Sequence, residues 1–224
     1  FYTDPVDALS RFACMPPEAV DAFFKSREKV EMAFNQSNIA VGEDGRFAEW
    51  FKPEEDKEYF VHVDLAQKHD HCAVALAHVD SWVSMKIAGT MTEAAPKVVV
   101  DAVMFWTPTS TKSVDFTEVK DYIIHLRERG FRLKMVTFDR WNSHDMMQQL
   151  KAHGINTELL SVAKKHYEDM AMLVTEERVS GPAIKLLVDE LLQLRIIRDK
   201  VDHPRKGSKD LADAVCGAIY NAIS

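Results

Sequence analysis

The octapeptide Tyr59-Phe-Val-His-Val-Asp-Leu-Ala66 places one acidic residue inside an apolar, β-branched run, a pattern typical of a strand in a sheet interior. Successive side chains of a strand point to opposite faces, so Val61 and Val63 share one face. His62 and Asp64 share the other. An ionised carboxylate buried alone on an apolar face is strongly destabilising. Asp64 is therefore predicted to lie where water reaches the sheet or where a cation binds it, the alternative being a solvated residue on an edge strand.

The composition is that of a globular protein without a strong charge bias. The chain has 224 residues, of which 46% are apolar and 28% charged, and a net charge of -7. A chain of this length can form one α/β domain and an additional segment. The negative net charge argues against nonspecific nucleic-acid binding through overall charge, although a local basic strip could still contact phosphates.

The cysteine pattern and the hydropathy indicate the class of protein. Cys14, Cys72 and Cys216 are widely spaced and form no CxxC pair, which argues against a zinc ribbon or a disulfide framework. The sequence contains no apolar run of membrane-spanning length and no signal-peptide pattern. These features predict a soluble, intracellular protein.

The order of the predicted elements indicates an α/β fold, a mixed sheet with helices on both faces. Strands are predicted at 59–66, 72–79, 81–88, 97–106, 131–139, 155–162 and 196–201, and helices at 16–35, 115–130, 143–154, 166–178, 185–195 and 210–222. Helices separate the later strands, which should therefore run parallel through right-handed crossovers. A charged stretch at 52–57 predicts a boundary between residues 1–57 and 58–224.

Four aspartates occupy positions where a carboxylate is available to a ligand. Asp64 lies within the first strand, and Asp139 ends a strand at the carboxyl edge, where sites form in open α/β sheets. Asp210 begins the last helix, and Asp213 lies three residues later on the same face. Interaction with the helix dipole, worth about 0.3–1 kcal/mol, is a sufficient explanation for Asp210 alone. Asp213 lies on an apolar stripe and therefore needs a partner.

A group of carboxylates would favour a hard divalent cation. Their charges repel and raise one another's pKa values unless positive charge intervenes. All-oxygen ligands suit Mg²⁺ or Mn²⁺ better than zinc, and two such ions can activate water and stabilise the leaving oxygen in phosphodiester cleavage. Other side chains could add ligands or simply be polar surface, namely His62, His69, Asp70 and His71.

Three segments resemble motifs of the ribonuclease-H-like nuclease superfamily, and more narrowly of the nuclease domain of tailed-bacteriophage terminase large subunits. They are Phe60-Val-His-Val-Asp-Leu-Ala66, Val136-Thr-Phe-Asp-Arg-Trp-Asn-Ser143 and Val201-Asp-His-Pro-Arg-Lys-Gly-Ser-Lys-Asp-Leu-Ala-Asp-Ala214. The third, a basic glycine-containing loop that runs into a helix with two acids, is the most specific. The resemblance covers about 59–222 and implies a ribonuclease-H-like mixed sheet.

The resemblance also implies site residues and a cofactor. Asp64, Asp139 and Asp210 would bind Mg²⁺ or Mn²⁺, as two ions, with Asp213 as a helper, and the division of work between the last two stays open. Contact with DNA would require local positive charge near these acids. The candidates are Arg140, Lys164, Lys165, Arg205, Lys206 and Lys209, and surface solvation is the alternative for each. Trp141 could brace the site or the duplex, or pack in the interior.

The implied function is metal-dependent endonuclease cleavage of double-stranded viral DNA concatemers during genome packaging, by two-metal-ion phosphodiester hydrolysis in the host cell cytoplasm. Residues 1–57 would be a linker segment with one helix, at the junction to an ATPase motor domain. The chain has no G-x-x-x-x-G-K-[ST] motif, so that motor would lie outside it. In the full-length protein, the portal and the small terminase subunit would be partners.

Two other functions are compatible with the same residues. One is a junction resolvase or transposase-like nuclease of the same fold. The other is a non-catalytic docking module in which the acids are structural.

Overall fold

The computed structural model describes residues 22–42, 45–66, 71–87, 91–109, 113–139, 143–204 and 207–224. The helices in these ranges are α1 (Arg27–Ala33), α2 (Phe116–Glu128), α3 (His144–Ala152), α4 (Lys164–Thr175), α5 (Lys185–Gln193) and α6 (Asp210–Ile223). The strands are β1 (Tyr59–Asp64), β2 (Cys72–Ile87), β3 (Met91–Trp106), β4 (Leu133–Phe138), β5 (Thr157–Leu159), β6 (Val179–Ser180), β7 (Arg195–Ile197) and β8 (Lys200–Asp202).

Six strands form one mixed sheet in the order β5-β4-β1-β2-β3-β6. The β1/β2 and β2/β3 pairs are antiparallel, whereas β1/β4, β4/β5 and β3/β6 are parallel. In each parallel pair the later strand follows a helix, as predicted for β4 and β5. The predicted α/β class with a mixed sheet is confirmed.

Three strand predictions differ in detail from the structure. The predicted strands at 72–79 and 81–88 are one continuous strand, β2, which pairs along its length with β3. The predicted strand at 196–201 is a hairpin, β7/β8, because Arg198 and Asp199 adopt positive φ values of 50° and 63° and turn the chain. The two-residue strand β6 was not predicted, and it is too short to produce a periodic signal.

Each face of the sheet has its own hydrophobic core. Val61 and Val63 of β1 pack with α2 and α3, as the alternation along the strand predicts. Phe60, on the opposite face, packs against the core that α4, α5 and α6 cover. Helix α2 begins where predicted, because the Asp115 carboxylate accepts a hydrogen bond from the Thr117 N–H at 2.8 Å.

The helix predicted at 16–35 is shorter in the described residues. Residues 16–21 lie outside the described part, and helix α1 begins at Arg27, where the Ser26 hydroxyl accepts a hydrogen bond from Lys29 N at 3.2 Å. The residues just before it are not helical, because the Phe23 N–H donates to the Leu194 carbonyl at 2.7 Å. Phe24 and residues of α1 pack into the same core as α6. The division at 57/58 stays a prediction.

Among the helices that the structure describes, α6 has the most buried residues. Nine of its residues are buried, including Gly217, and it crosses the sheet against β1 and β2. Within the described ranges, no helix combines the length and the apolar character that a membrane span requires.

Candidate metal site

Two of the predicted aspartates lie at the carboxyl ends of neighbouring parallel strands. Val63 of β1 pairs with Phe138 of β4, so Asp64 and Asp139 come next to each other at the carboxyl edge of the sheet. The Asp139 N–H donates to the Val63 carbonyl at 3.4 Å, which ties the two strand ends together. This is the edge at which open α/β sheets form their sites.

The first turn of α6 supplies the other two aspartates. The Asp210 carboxylate accepts a hydrogen bond from the His71 N–H at 2.8 Å, which connects the helix to the start of β2. Ala73 of β2 pairs with Asp64 of β1, so this contact holds the beginning of α6 beside the end of β1. Asp213 lies one turn further along the helix.

The charges of all four aspartates interact. The pKa of Asp64 is raised to about 8, first by burial and then by the negative charges of Asp213, Asp210 and Asp139, against the opposing effect of Lys209. An aspartate with this pKa is largely protonated at neutral pH. The structure therefore brings the other three predicted acids close enough to Asp64 for their charges to act on it.

Asp213 has the partner that its position on an apolar stripe predicts. Its carboxylate accepts a hydrogen bond from the Tyr167 hydroxyl at 2.6 Å and pairs with the ammonium of Lys209. Burial raises the pKa of Asp213 in spite of the Lys209 charge. Burial alone would lower the pKa of Lys209, but the carboxylates of Asp213 and Asp64 raise it, so this lysine stays charged.

Three residues that hold the aspartates were not found from the sequence. The Ser161 hydroxyl donates to the Asp139 carboxylate at 2.5 Å, and Tyr167 binds Asp213. Buried Glu190 accepts hydrogen bonds from Ser208 Oγ at 2.6 Å and Ala212 N at 2.9 Å and so anchors the start of α6. Of these three residues, only Ser161 lies in a sequence position that indicates the site, because it follows β5 and so lies at the same carboxyl edge of the sheet as Asp139. Tyr167 and Glu190 lie on other helices.

The histidines considered as extra ligands have other roles where they are described. The His62 ring is fully buried against α6, and its Nδ1 forms a hydrogen bond of 2.7 Å with the Thr137 hydroxyl. Burial lowers the pKa of His62 to about 4, so it is neutral. The His71 ring bonds to the Thr107 hydroxyl at 3.0 Å. His69 and Asp70 lie outside the described residues.

Solved structures with the same architecture are nucleases of phage large terminases. The nuclease of thermophilic phage G20c with bound magnesium has a TM-score of 0.62 and 17% sequence identity, over 89% of this chain and 97% of that one. The HK97 bacteriophage large terminase has a TM-score of 0.61 and 16% identity, over 89% of this chain and 43% of that one. This chain has the terminase-nuclease fold.

Sequence comparison adds a distant relative of this chain. An uncharacterized protein of Methanocaldococcus jannaschii is 27% identical over 245 aligned positions, which cover all of this chain and 41% of that protein. The chain thus spans less than half the length of this relative and of the HK97 terminase. No protein-family model matches the sequence.

The four aspartates of this terminase-nuclease fold suit a hard divalent cation chemically. The donor set is all oxygen, and the charges of Asp213, Asp210 and Asp139 add to the rise that burial causes in the pKa of Asp64. Among the described residues, the compact trio of metal-capable atoms, all within 4.8 Å of one another, is formed by Glu54, His78 and Asp80 rather than by these aspartates. Like charges repel, so a tighter grouping of the aspartates would require a bound cation.

The described candidates for DNA contact all have partners within the protein. Lys164 pairs with Asp199 at 2.6 Å, and the Lys165 ammonium lies 5.8 Å from the centre of the Tyr220 ring. Lys209 pairs with Asp213 inside the site. Their DNA contact stays a prediction. Four further residues lie outside the described part of the chain, namely Arg140, Trp141, Arg205 and Lys206.

We expect Asp64→Asn to stabilise the metal-free protein at pH 8. The folded pKa of Asp64 lies above its ordinary value of 3.8, so metal-free stability falls as pH rises from about 4 to about 8. Removing the charge should raise Tm at pH 8 by about 2–6 °C, equivalent to about 1–2 kcal/mol. Differential scanning fluorimetry with EDTA at pH 5 and pH 8 measures this effect.

The control for this prediction is Asp121→Asn on the exposed side of α2, where an aspartate makes one surface ion pair. It should change Tm by little at either pH. A Tm of Asp64→Asn at or below that of the parent at pH 8 would contradict the burial and the repulsion of the Asp64 charge described above.

Proposed function

We propose that this chain is a metal-dependent endonuclease that hydrolyses phosphodiester bonds of double-stranded DNA. The observation that carries the proposal is the placement of Asp64 and Asp139 at the ends of adjacent parallel strands, with the start of α6, which carries Asp210 and Asp213, tied to β2 by the hydrogen bond from His71 N to Asp210. The raised pKa of Asp64, caused first by burial and then by these aspartates, agrees with that placement. Negative charge of this kind attracts hard divalent cations. The terminase-nuclease fold supports the same assignment.

Asp64, Asp139, Asp210 and Asp213 are the proposed ligands of two Mg²⁺ or Mn²⁺ ions. Ions held there would polarise a phosphodiester, activate a water molecule and stabilise the leaving oxygen. The protein supplies the positioning. Ser161 orients the Asp139 carboxylate, Tyr167 and Lys209 orient that of Asp213, and Glu190 fixes the start of the helix that carries Asp210.

The biological setting that we propose follows from the proteins with this fold. The substrate would be concatemeric viral DNA that is cut during packaging in the cytoplasm of the host cell. Residues 1–57 would join the nuclease to an ATPase motor domain, and the portal and small terminase subunit would be partners of the full-length protein. The six basic candidates named above would contact the DNA backbone.

The direct test is cleavage of supercoiled plasmid DNA by the purified chain. We expect nicked and linear products with Mn²⁺ or Mg²⁺ and no cleavage after the ions are removed with EDTA. At limiting metal concentration the rate should rise by about 10–100-fold from pH 6 to pH 8, because protons compete with ions for Asp64 until the pH passes its pKa of about 8. Cleavage that persists in EDTA, or that falls over this pH range, would contradict the proposal.

Substrate choice separates this function from its alternatives. A terminase-like nuclease should cut linear duplex DNA at least as fast as a four-way junction. Preferential cutting of the junction would favour a resolvase. A docking module would neither bind Mn²⁺ nor nick DNA.

A further inference from the structure

A second group of metal-capable side chains lies at the other end of β1. Glu54, His78 and Asp80 each place one potential ligand atom within 4.8 Å of the others. His78 pairs with Tyr59 at the start of β1, whereas Asp64 ends that strand, so the two groups are separated by roughly 16 Å along the strand. The group is therefore distinct from the proposed nuclease centre.

Two β-bulges place the acidic residues Asp80 and Asp101 beside His78. In the β2/β3 ladder, Leu76 pairs with Ala102 and Ala77 with Val100, so Asp101 is an extra residue on β3. Further along, Val79 pairs with Val98 and Ser81 with Lys97, so Asp80 is an extra residue on β2. Bulges redirect side chains and occur often beside functional sites. Here they lie on either side of one histidine.

The His78 ring is held as a metal ligand would be held. Its Nδ1–H donates to the Asp101 carboxylate at 2.8 Å, and this hydrogen bond leaves the lone pair on Nε2. Nε2 is buried, with no hydrogen-bond partner, and lies 3.9 Å from Glu54 Oε1. A carboxylate behind a histidine is the arrangement that orients imidazole ligands in metal sites. The ring is 1% exposed, so leaving this nitrogen unpaired is costly, and a bound ion would supply the missing partner.

We infer that Glu54, His78 and Asp80 form a binding site for a divalent transition-metal ion of the Zn²⁺ type, with Asp101 orienting the histidine. One imidazole nitrogen with two carboxylates suits Zn²⁺, whereas Mg²⁺ favours oxygen ligands alone. Ligand atoms around tetrahedral zinc are about 3.3 Å apart, so a small movement of the Glu54 side chain, which is 59% exposed, closes the 3.9 Å separation.

A bound ion would cross-link the segment before β1, through Glu54, to strand β2, through His78 and Asp80. Glu54 precedes β1, and its backbone N–H already donates to the Tyr59 hydroxyl at 2.9 Å. Lys57 is a cation beside this group, and its ammonium donates to the main-chain carbonyls of Val79 and Asp80. Those bonds leave Nε2 of His78 without a partner, so the lysine does not replace an ion there.

Zinc titration of the full chain tests the inference. The titration uses Asp64→Asn/Asp139→Asn as the background, since it removes ligands of the proposed nuclease centre. Isothermal titration with Zn²⁺ should show one ion per chain. Adding Glu54→Gln should weaken binding at least about 10-fold, and Asp101→Asn about 10–100-fold, the usual loss when the group that orients a ligand is removed. Glu55→Gln, which changes the neighbouring acid, is the matched control and should bind as the background does.

A second measurement identifies the ligand without any substitution of the buried histidine. Long-range ¹H–¹⁵N NMR of the imidazoles should show the His78 Nε2 resonance shift on addition of Zn²⁺, while Nδ1 keeps its proton. Absence of Zn²⁺ binding in the background protein, an unmoved Nε2 resonance, or equal affinity of Glu54→Gln and Glu55→Gln would overturn the inference. None of these outcomes bears on DNA cleavage, which depends on the other four aspartates.

Discussion

Asp64→Asn and Asp139→Asn are each expected to reduce Mn²⁺-dependent plasmid cleavage by about 10²–10³-fold or more, the loss that follows removal of one charge-stabilising group from an active site. Asparagine keeps the shape of aspartate but lacks the negative charge that binds a hard cation. Both residues end adjacent parallel strands, so each substitution should leave the hydrogen-bonded sheet intact. Initial rates of nicking at pH 8 and saturating Mn²⁺ measure the effect.

Asp121→Asn is the control for this experiment as well, since its exposed carboxylate is not one of the four proposed ligands and, in the described part of the chain, pairs with Lys120 at the surface. Its cleavage rate should match that of the parent. Circular dichroism should show the same folded spectrum for all three variants. Full activity in either Asp64→Asn or Asp139→Asn would show that this group of acids does not carry the reaction.

Gly217→Ala is expected to destabilise the protein strongly although alanine is the better helix former. An added Cβ on Gly217 would lie 2.3 Å from Cδ2 and Cγ of the His62 ring, well inside any normal contact. The ring cannot easily move, because Nδ1 bonds to the Thr137 hydroxyl, which also accepts a hydrogen bond from the Asn221 side-chain amide at 2.6 Å. Overpacking of this kind costs about 3 kcal/mol or more. Tm should fall by about 6–12 °C.

A second substitution separates this clash from a general effect on the helix. In the double variant His62→Ala/Gly217→Ala the imidazole ring is absent, so the added methyl group no longer clashes with it. The loss of stability in the double variant should therefore be smaller than the sum of the losses in the two single variants. Gly207→Ala is the control, since the atoms nearest to a Cβ there belong to the Gln193 side chain at 3.2 Å and the His203 side chain at 3.4 Å. A Gly217→Ala variant as stable as the parent would contradict the close packing of Gly217 in α6 against the His62 ring in β1.

The local sequence determined which strand and helix ends carry the acids. Alternation in β1 correctly separates Val61, which packs under α2 and α3, from Phe60, which packs on the opposite face. Strand β4 ends directly before Asp139, and α6 begins at Asp210, as predicted. These features are readable because periodicity, caps and helix starts involve residues a few positions apart.

Tertiary structure alone decided what surrounds those acids. Tyr167 reaches Asp213 from a residue 46 positions away, and the His71 backbone reaches Asp210 across 139 positions. The burial of His62 against Gly217 and the two bulges beside His78 likewise depend on how distant segments pair. Such contacts join residues that are far apart in the chain, so they leave no periodic pattern in the sequence. The pKa of a carboxylate and the hydrogen bonding of an imidazole depend on these distant residues, which come close only in the folded protein.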